Sequence, residues 1–461
     1  MCDGAMTMTA PTLPLHRDRH LRRAIEDARG LALRIRGRLM PPLQLLVAIW
    51  LVSAATAHAA TITATTCSSS NVQSSFNAAA NGDTVVIPNG SCTWTTGVTT
   101  NKQIIISGQS KGSVIITHGA GKANLFSITT GSTFSTEIRN LTFLVSSGDG
   151  GRYLDIGGSG KVPFVHDNYF RVPDFQLLHA VRLGRSGGVF WNNTFESLDA
   201  TGSSGSSGSG SGVLQLNNEG EGSSWTTASS MGTADTTGTA NTYIEDNTFN
   251  NLHQQAVDID NNARAVIRHN IFNDSSIVSH GADTSSDGAR HVEVYDNIFV
   301  FHATGSNGPI SYPLALNRWW YIRGGTGLVT DNVLPNIDSP TWGDKEEFVF
   351  TVQNLRRNAG PYPCQTMYPA PHQVGQSHNG ITATTEPLYI WNNTGFQQPS
   401  DEDYEPNECA EGAPTTSAFV QPGRDYVVGS PKPGYTKYSY PHPLRGGVGI
   451  PSAPQNLRII R

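Results

Sequence analysis

Apolar and polar positions along this chain recur in one short phrase. It is written VHDNYF (165–170), VFWNNTF (189–195), YIEDNTF (243–249), IRHNIF (267–272), VYDNIF (294–299), VTDNVL (329–334) and IWNNTG (390–395). Three places before the central Asn stands an apolar residue: Val165, Phe190, Ile244, Ile267, Val294, Val329 or Ile390. Two places after it stands Phe170, Phe195, Phe249, Phe272, Phe299 or Leu334. The residue before the Asn is mostly Asp or Asn, types that tolerate the left-handed backbone of a tight turn. Each phrase therefore predicts a short strand, a turn and a second short strand. A further strand is signalled upstream in YLDIG (153–157), AVRLG (180–184), VLQLN (213–217) and AVDID (256–260), where apolar and polar residues alternate and one face is buried.

Counted from Phe143 in IRNLTF, successive phrases lie 27, 25, 54, 23, 27 and 35 residues apart. The base period is about 25, and a coil of that length with two or three short strands stacks into a parallel β-helix. Propeller repeats are longer and need antiparallel hairpins, whose Asn-Gly turn signals are scarce inside these repeats. The 54-residue step holds TGSSGSSGSGSG (201–212), a flexible insertion.

Upstream of the repeats, NVQSSFNAAANGDTVVIPNGSCTWTTGVTTNKQIIISGQ (71–109) resembles the opening of secreted pectin-lyase-like right-handed parallel β-helix proteins, at Phe76, Ala79, Gly82, Asp83, Thr84, Val85, Ile87, Pro88, Gly90 and Gly108. With the repeats, the resemblance covers roughly residues 61–395. It implies an all-β, single-stranded right-handed parallel β-helix whose first coil is capped by a short amphipathic helix. The superfamily holds lyases, hydrolases, esterases, epimerases, tailspikes and non-catalytic proteins, so the fold does not choose an activity. The W-x-D-H and R-x-P-x-x-R motifs of pectate and pectin lyases are missing, as is the N-T-D, D-D, G-H-G, R-I-K series of polygalacturonases.

Composition agrees with a turn-rich exported chain: of 461 residues only 15% are charged, and 48 are Gly. The apolar run LQLLVAIWLVSAATAHAA (43–60) follows Arg34, Arg36 and Arg38 and ends in small residues, which is the order of a secretory signal. Residues 1–60 are read as signal peptide and leader, 61–400 as the β-helix, 401–447 as an irregular tail packed along it, and 448–461 as a linker and stub resembling the start of a fibronectin type III domain. The leader carries eight of the 31 basic and four of the 37 acidic residues, so the rest carries −10. An acidic surface with no basic cluster argues against nucleic acid, and no later run would span a membrane. Beyond the leader four Cys remain, and export makes two disulfides the expectation. Proximity favours Cys67–Cys92 and Cys364–Cys409 among the three pairings.

Candidate chemistry follows from alternation. In AVDID, Val257 and Ile259 point inward, so Asp258 and Asp260 point outward, about 6.5–7 Å apart. The equivalent outward positions of neighbouring coils are Asp155, Arg182 and Gln215. Asp258, Asp260 and Arg182 are the catalytic candidates: two carboxylates as acid and base across a glycosidic bond, or Arg182 as base in a uronate lyase with Ca2+ held by Asp258 and Asp260. A surface ladder of ion pairs is the alternative. In HGADTSSDGARHVE (280–293), counting back from the central Asn aligns Asp287 with Asp260 and adds it, with Asp155, to the substrate-binding candidates. Trp191, Tyr295 and Trp391 fall in an outward column two places before the Asn and are candidate sugar-stacking faces, unless loops or the tail cover them. NRWWYIRGG (317–325) is a further aromatic stretch.

The sequence thus supports a secreted or cell-surface protein acting on an acidic polysaccharide, as lyase or hydrolase. The alternative is a non-catalytic glycan-binding or adhesive β-helix.

Overall fold

The structure is a computed structural model. It describes residues 59–446 apart from 120, 122, 146–150, 173–178, 198–212, 219–223, 251, 253–255, 274, 283–286, 301–319, 334–347, 351–363, 378–381, 384, 396–399 and 402–414. The leader, the Gly/Ser insertion, Asp283, Cys409 and the 448–461 stub lie outside the described residues.

The repeat phrase builds coils. In one of them the chain runs through Arg264–Arg268, turns into Ile271–Asn273, turns again into Ile277–Ser279, and re-enters the first sheet at His291–Tyr295. Each strand pairs in parallel with its counterparts in adjacent coils, giving sheets of twelve, eight and ten described strands. This is the parallel β-helix expected from the period. Among the described residues no helix is long and apolar enough to cross a membrane.

Two side-chain ladders run through the stack. Phe143, Phe170, Phe195, Phe249, Phe272 and Phe299 lie ring on ring, with centroids 5.0, 4.7, 5.1, 4.8 and 4.8 Å apart. That matches the spacing of neighbouring strands, about 4.8 Å, so each ring packs on the next without tilting out of register. Asn168, Asn193, Asn247, Asn270, Asn297, Asn332 and Asn393 form the second ladder, each Nδ2 donating to the next Oδ1 at 2.9–3.1 Å. The residue before each ladder Asn is left-handed: Asp167, Asn192, Asp246, His269, Asp296, Asp331 and Asn392 have φ between 52° and 58°. Six of these seven are Asp or Asn, the types that bear this conformation most cheaply.

At the front, a helix covers Ser69–Ala78; Ser68 is its N-cap and accepts the Asn71 N–H. Its buried Val72 and Phe76 join the core, where the Phe76 ring meets Phe126 at 6.3 Å. Cys67 and Cys92 form a disulfide, the pairing that proximity favours. Cys364 is also disulfide-bonded.

Residues 415–446 include contacts to the outer face of the twelve-stranded sheet. Strand Tyr426–Val428 ends that sheet, and the chain then runs back down the stack. Tyr435 donates to Glu293 at 2.7 Å, Lys437 pairs with Asp296 at 2.8 Å and Asp331 at 2.6 Å, and Arg445 pairs with Glu245 at 2.8 Å. Beneath it lies a second apolar core that includes Val189, Tyr243, Val266, Leu328 and Tyr438.

Candidate functional site

The tail covers part of the twelve-stranded sheet, and the ten-stranded sheet carries the column of candidate residues. Its strands Leu154–Gly158, Val181–Leu183, Leu214–Asn217, Val257–Asp260, Ile277–Ser279 and Trp320–Ile322 put Asp155, Arg182, Gln215, Asp258, Val278 and Tyr321 in one register column. Val257 and Ile259 are fully buried in the core, as alternation required. The outward column read from the sequence therefore exists, and it brings Asp155 and Arg182 together at 3.2 Å. Asp155 also accepts from Asn124 Nδ2 at 2.9 Å and lies 3.8 Å from Arg152. A guanidinium with a carboxylate partner stays a cation, so Arg182 is suited to holding an anion and not to taking a proton.

Asp258 faces outward but is not open: its side chain is 3% exposed. Its Oδ1 lies 2.9 Å from Nε2 of His280. Burial pushes this carboxyl up, but His280, His179 and Arg323 outweigh burial and hold it below the usual carboxylate range. His280 occupies the position beside Asp260, because its N–H donates to the carbonyl of Ile259 at 2.8 Å. Arg323 follows in the next coil, its N–H on the carbonyl of Ser279, and its Nη2 is 2.5 Å from Nε2 of His280. The Arg323 guanidinium also lies over the Tyr321 ring, 5.1 Å from its centroid.

The sequence reading takes in His280 and Arg323 only as members of the stretches 280–293 and 317–325, and it does not single out His179. Alternation carried two residues further gives the first two: His280 lies two beyond Val278, and Arg323 two beyond Tyr321. Asp287 is not on this wall. Asp287 approaches Nδ1 of His372 at 3.6 Å, and His280 takes the place beside Asp260 instead.

The aromatic column needs a larger correction. The register His166, Trp191, Glu245, Arg268, Tyr295, Thr330, Trp391 is as expected. Trp191 and Tyr295, however, are buried, and Trp391 is half-buried against Tyr435 at 5.8 Å. The tail covers these rings because Arg268, Glu245 and Arg445 form an ion cluster across them. Trp191 and Tyr295 are members of the second apolar core, and Trp391 packs against it partly buried.

Asp258 and Asp260 do not fit the calcium site considered for them. Calcium takes six to eight oxygen ligands (roughly, as a rule for hard cations). Asp258 instead sits among cationic groups, and Asp260 Oδ1 accepts the Asn261 N–H at 2.7 Å. Among the described residues no three His, Cys, Asp or Glu are grouped to hold a metal.

No described family matches this sequence, and no curated protein matches it. Similar solved structures include an alginate lyase from Paenibacillus sp. str. FPU-7, at 13% identity and TM-score 0.32 over 65% of this chain and 96% of that one. A mutant of a PL6-family alginate lyase has 14% identity and TM-score 0.39 over 82% of this chain and 53% of that one. The catalytic domain of a GH87 α-1,3-glucanase, in complex with tetrasaccharides, has 10% identity and TM-score 0.27 over 80% of this chain and 67% of that one.

Proposed function

We propose that this is an exported enzyme that cleaves a uronate-containing polysaccharide by β-elimination on the outer face of the ten-stranded sheet. The observation that carries the reading is the charge pattern of that face. Arg152, Arg182, His179, His280 and Arg323 gather around Asp155 and Asp258 along stacked coils. Guanidinium groups match a carboxylate in shape and charge, and a sheet with strands about 4.8 Å apart offers them as a row to an extended acidic chain.

Elimination is favoured over hydrolysis by the state of Asp258. A hydrolase needs one carboxyl that holds a proton for the leaving oxygen. Asp258 is buried in a cationic field that favours its charged form, so it is unsuited to that part. Lyase chemistry asks for something else: cations that neutralise the uronate carboxylate, and so acidify the carbon beside it, and a group that moves a proton. Arg182 and Arg323 supply the first. Export is supported by the Cys67–Cys92 disulfide, a bond that persists in oxidising compartments.

The test is a product assay. Purified protein is incubated with uronate-rich and neutral glycans, and ultraviolet absorbance is followed alongside reducing ends. New absorbance from an unsaturated uronate, on acidic glycans alone, is the expected result. Reducing ends without absorbance would make the protein a hydrolase. Binding without either product would make it a glycan-binding β-helix.

A further inference from the structure

Between the tail and the segment that leads into strand Thr242–Glu245 lies a hollow of about 270 Å³. Its lining comes in part from residues 232–236 and in part from residues 436–443, so neither segment makes it alone. The charged groups in that lining are already held. The carboxylate of Asp235 accepts the backbone N–H groups of Thr239, Ala240 and Asn241 at 3.2, 3.1 and 3.2 Å, and the Thr237 hydroxyl at 3.1 Å. The ammonium of Lys437 lies 2.8 Å from Asp296 and 2.6 Å from Asp331. His442 is neutral, because Nε2 donates to the Asp235 carbonyl at 2.9 Å and Nδ1 accepts the Leu444 N–H at 3.2 Å.

What the hollow offers is hydroxyl groups. Thr236, Thr436 and Ser439 line it, all three are exposed, and no described residue is a hydrogen-bond partner of their hydroxyls. A hydroxyl both donates and accepts, so an uncharged set of them matches another set of the same kind.

We propose that this hollow binds one neutral sugar ring, at a site apart from the ten-stranded sheet. The inference does not rest on the lyase reading. The chemistry of the lining disfavours other small ligands. A uronate, phosphate or sulfate needs a cation, and Lys437 keeps its charge between two carboxylates. A metal ion or an ammonium needs open carboxylate oxygens, and those of Asp235 are filled by N–H and O–H donors. An apolar ligand strips water from three hydroxyls and gives them no partner. Sites for drug-sized ligands start at about 300 Å³, so this one has room for a single ring and not for a stretch of chain. The ring is either a free sugar or the end of a neutral glycan, which present the same hydroxyls.

The place of the hollow gives binding a second effect. A sugar held there bridges the tail to the body and is lost when the tail leaves. A ligand that binds only the docked form lowers the released fraction by the factor 1 + [L]/Kd.

The test is saturation-transfer NMR on the full chain with glucose, galactose, mannose and xylose, their methyl glycosides and neutral trisaccharides, with glucuronate as the acidic counterpart. The expected result is transfer to at least one neutral sugar, about tenfold weaker in the double variant Thr236→Val, Thr436→Val and in Ser439→Trp, with Tm retained. Arg182→Gln keeps the transfer in full. Transfer to free monosaccharides makes the ligand a free sugar, and transfer confined to an end ring of the trisaccharides makes it a glycan end; either supports the site. With that sugar at about ten times its Kd, trypsin should cut after Lys437 about tenfold more slowly. No transfer to any neutral sugar, equal transfer to glucuronate, transfer undiminished in the folded double valine variant, or cutting unchanged by the sugar each overturns the inference. If Ser439→Trp fails to fold, the double valine variant decides alone, since it removes two hydroxyls and keeps their shape.

Discussion

The side-chain amide of Asn270 donates to Oδ1 of Asn297 at 3.0 Å, and the same oxygen accepts the backbone N–H of Asn270 at 2.9 Å. One buried carbonyl thus closes both the side chain and the turn of the preceding coil, and the arrangement repeats from Asn168 to Asn393. Asn270→Leu removes the acceptor of the buried Asn247 N–H, and with Nδ2 it removes the donor to the carbonyls of Ile244 and Arg268; Asn247 Nδ2 keeps the carbonyls of Phe190 and Glu245. Each orphaned group costs about 1–3 kcal/mol, so the variant should lose about 3 kcal/mol in denaturant unfolding. A loss under about 1 kcal/mol would mean that the ladder is decoration.

Glu245 holds the tail. It is fully buried and pairs with Arg268 at 2.9 Å and Arg445 at 2.8 Å. Burial raises its carboxyl, but the two guanidinium groups hold it below the usual range. Glu245→Gln leaves the buried Arg268 cation without its carboxylate partner, while Arg445 keeps Asp246; breaking a buried pair in this way costs about 3–5 kcal/mol. Tail residues such as Lys437 should then be cut by trypsin far sooner than in the wild type. Unchanged cleavage would show that the apolar contacts beneath the tail suffice alone.

His166 makes the stability of this face pH-dependent. Its ring stacks on Trp191 with centroids 3.9 Å apart, with Nδ1 2.7 Å from Asp167 and Nε2 3.1 Å from Glu137. Burial lowers the affinity of the ring for a proton, but the two carboxylates more than restore it and raise it above the ordinary histidine value, about 6.5. A raised folded value stabilises fully below the unfolded one and is lost as pH rises through the folded one. The wild type should therefore lose Tm from neutral pH upward, and His166→Gln should not show that decline. Parallel curves for the two proteins would count against the assignment.

The Cys67–Cys92 bond closes a loop with a sequence separation of 25 around the front helix. A loop of this size predicts a loss of about 3 kcal/mol on Cys67→Ser. The loss should be read by thermal unfolding under non-reducing conditions. Equal Tm values would show that the helix and first coil are held by packing alone.

The stack was legible because each coil repeats the same local chemistry: Asn at the turn, Phe two places on, and an apolar residue three places before. Parallel register then follows, and it placed Asp155, Arg182, Gln215 and Asp258 in one column without a structure. What was not legible depends on contacts between distant segments. Arg445 is 200 residues from Glu245, and no local pattern announces that a tail will bury Trp191 and Tyr295. His280 and Arg323 lay just past strand ends, where alternation was not carried on, so the partners of Asp258 went unseen.

The most direct measurement compares kcat/KM of Arg182→Gln and Trp391→Ala on an acidic glycan that the wild type cleaves, with Tm recorded for each. If chemistry resides on the ten-stranded sheet, Arg182→Gln falls on the order of 100-fold with its Tm retained, and Trp391→Ala keeps its activity after correction for folded protein. Full activity in Arg182→Gln, with loss in a folded Trp391→Ala, would put the site on the tail-covered face and contradict the account.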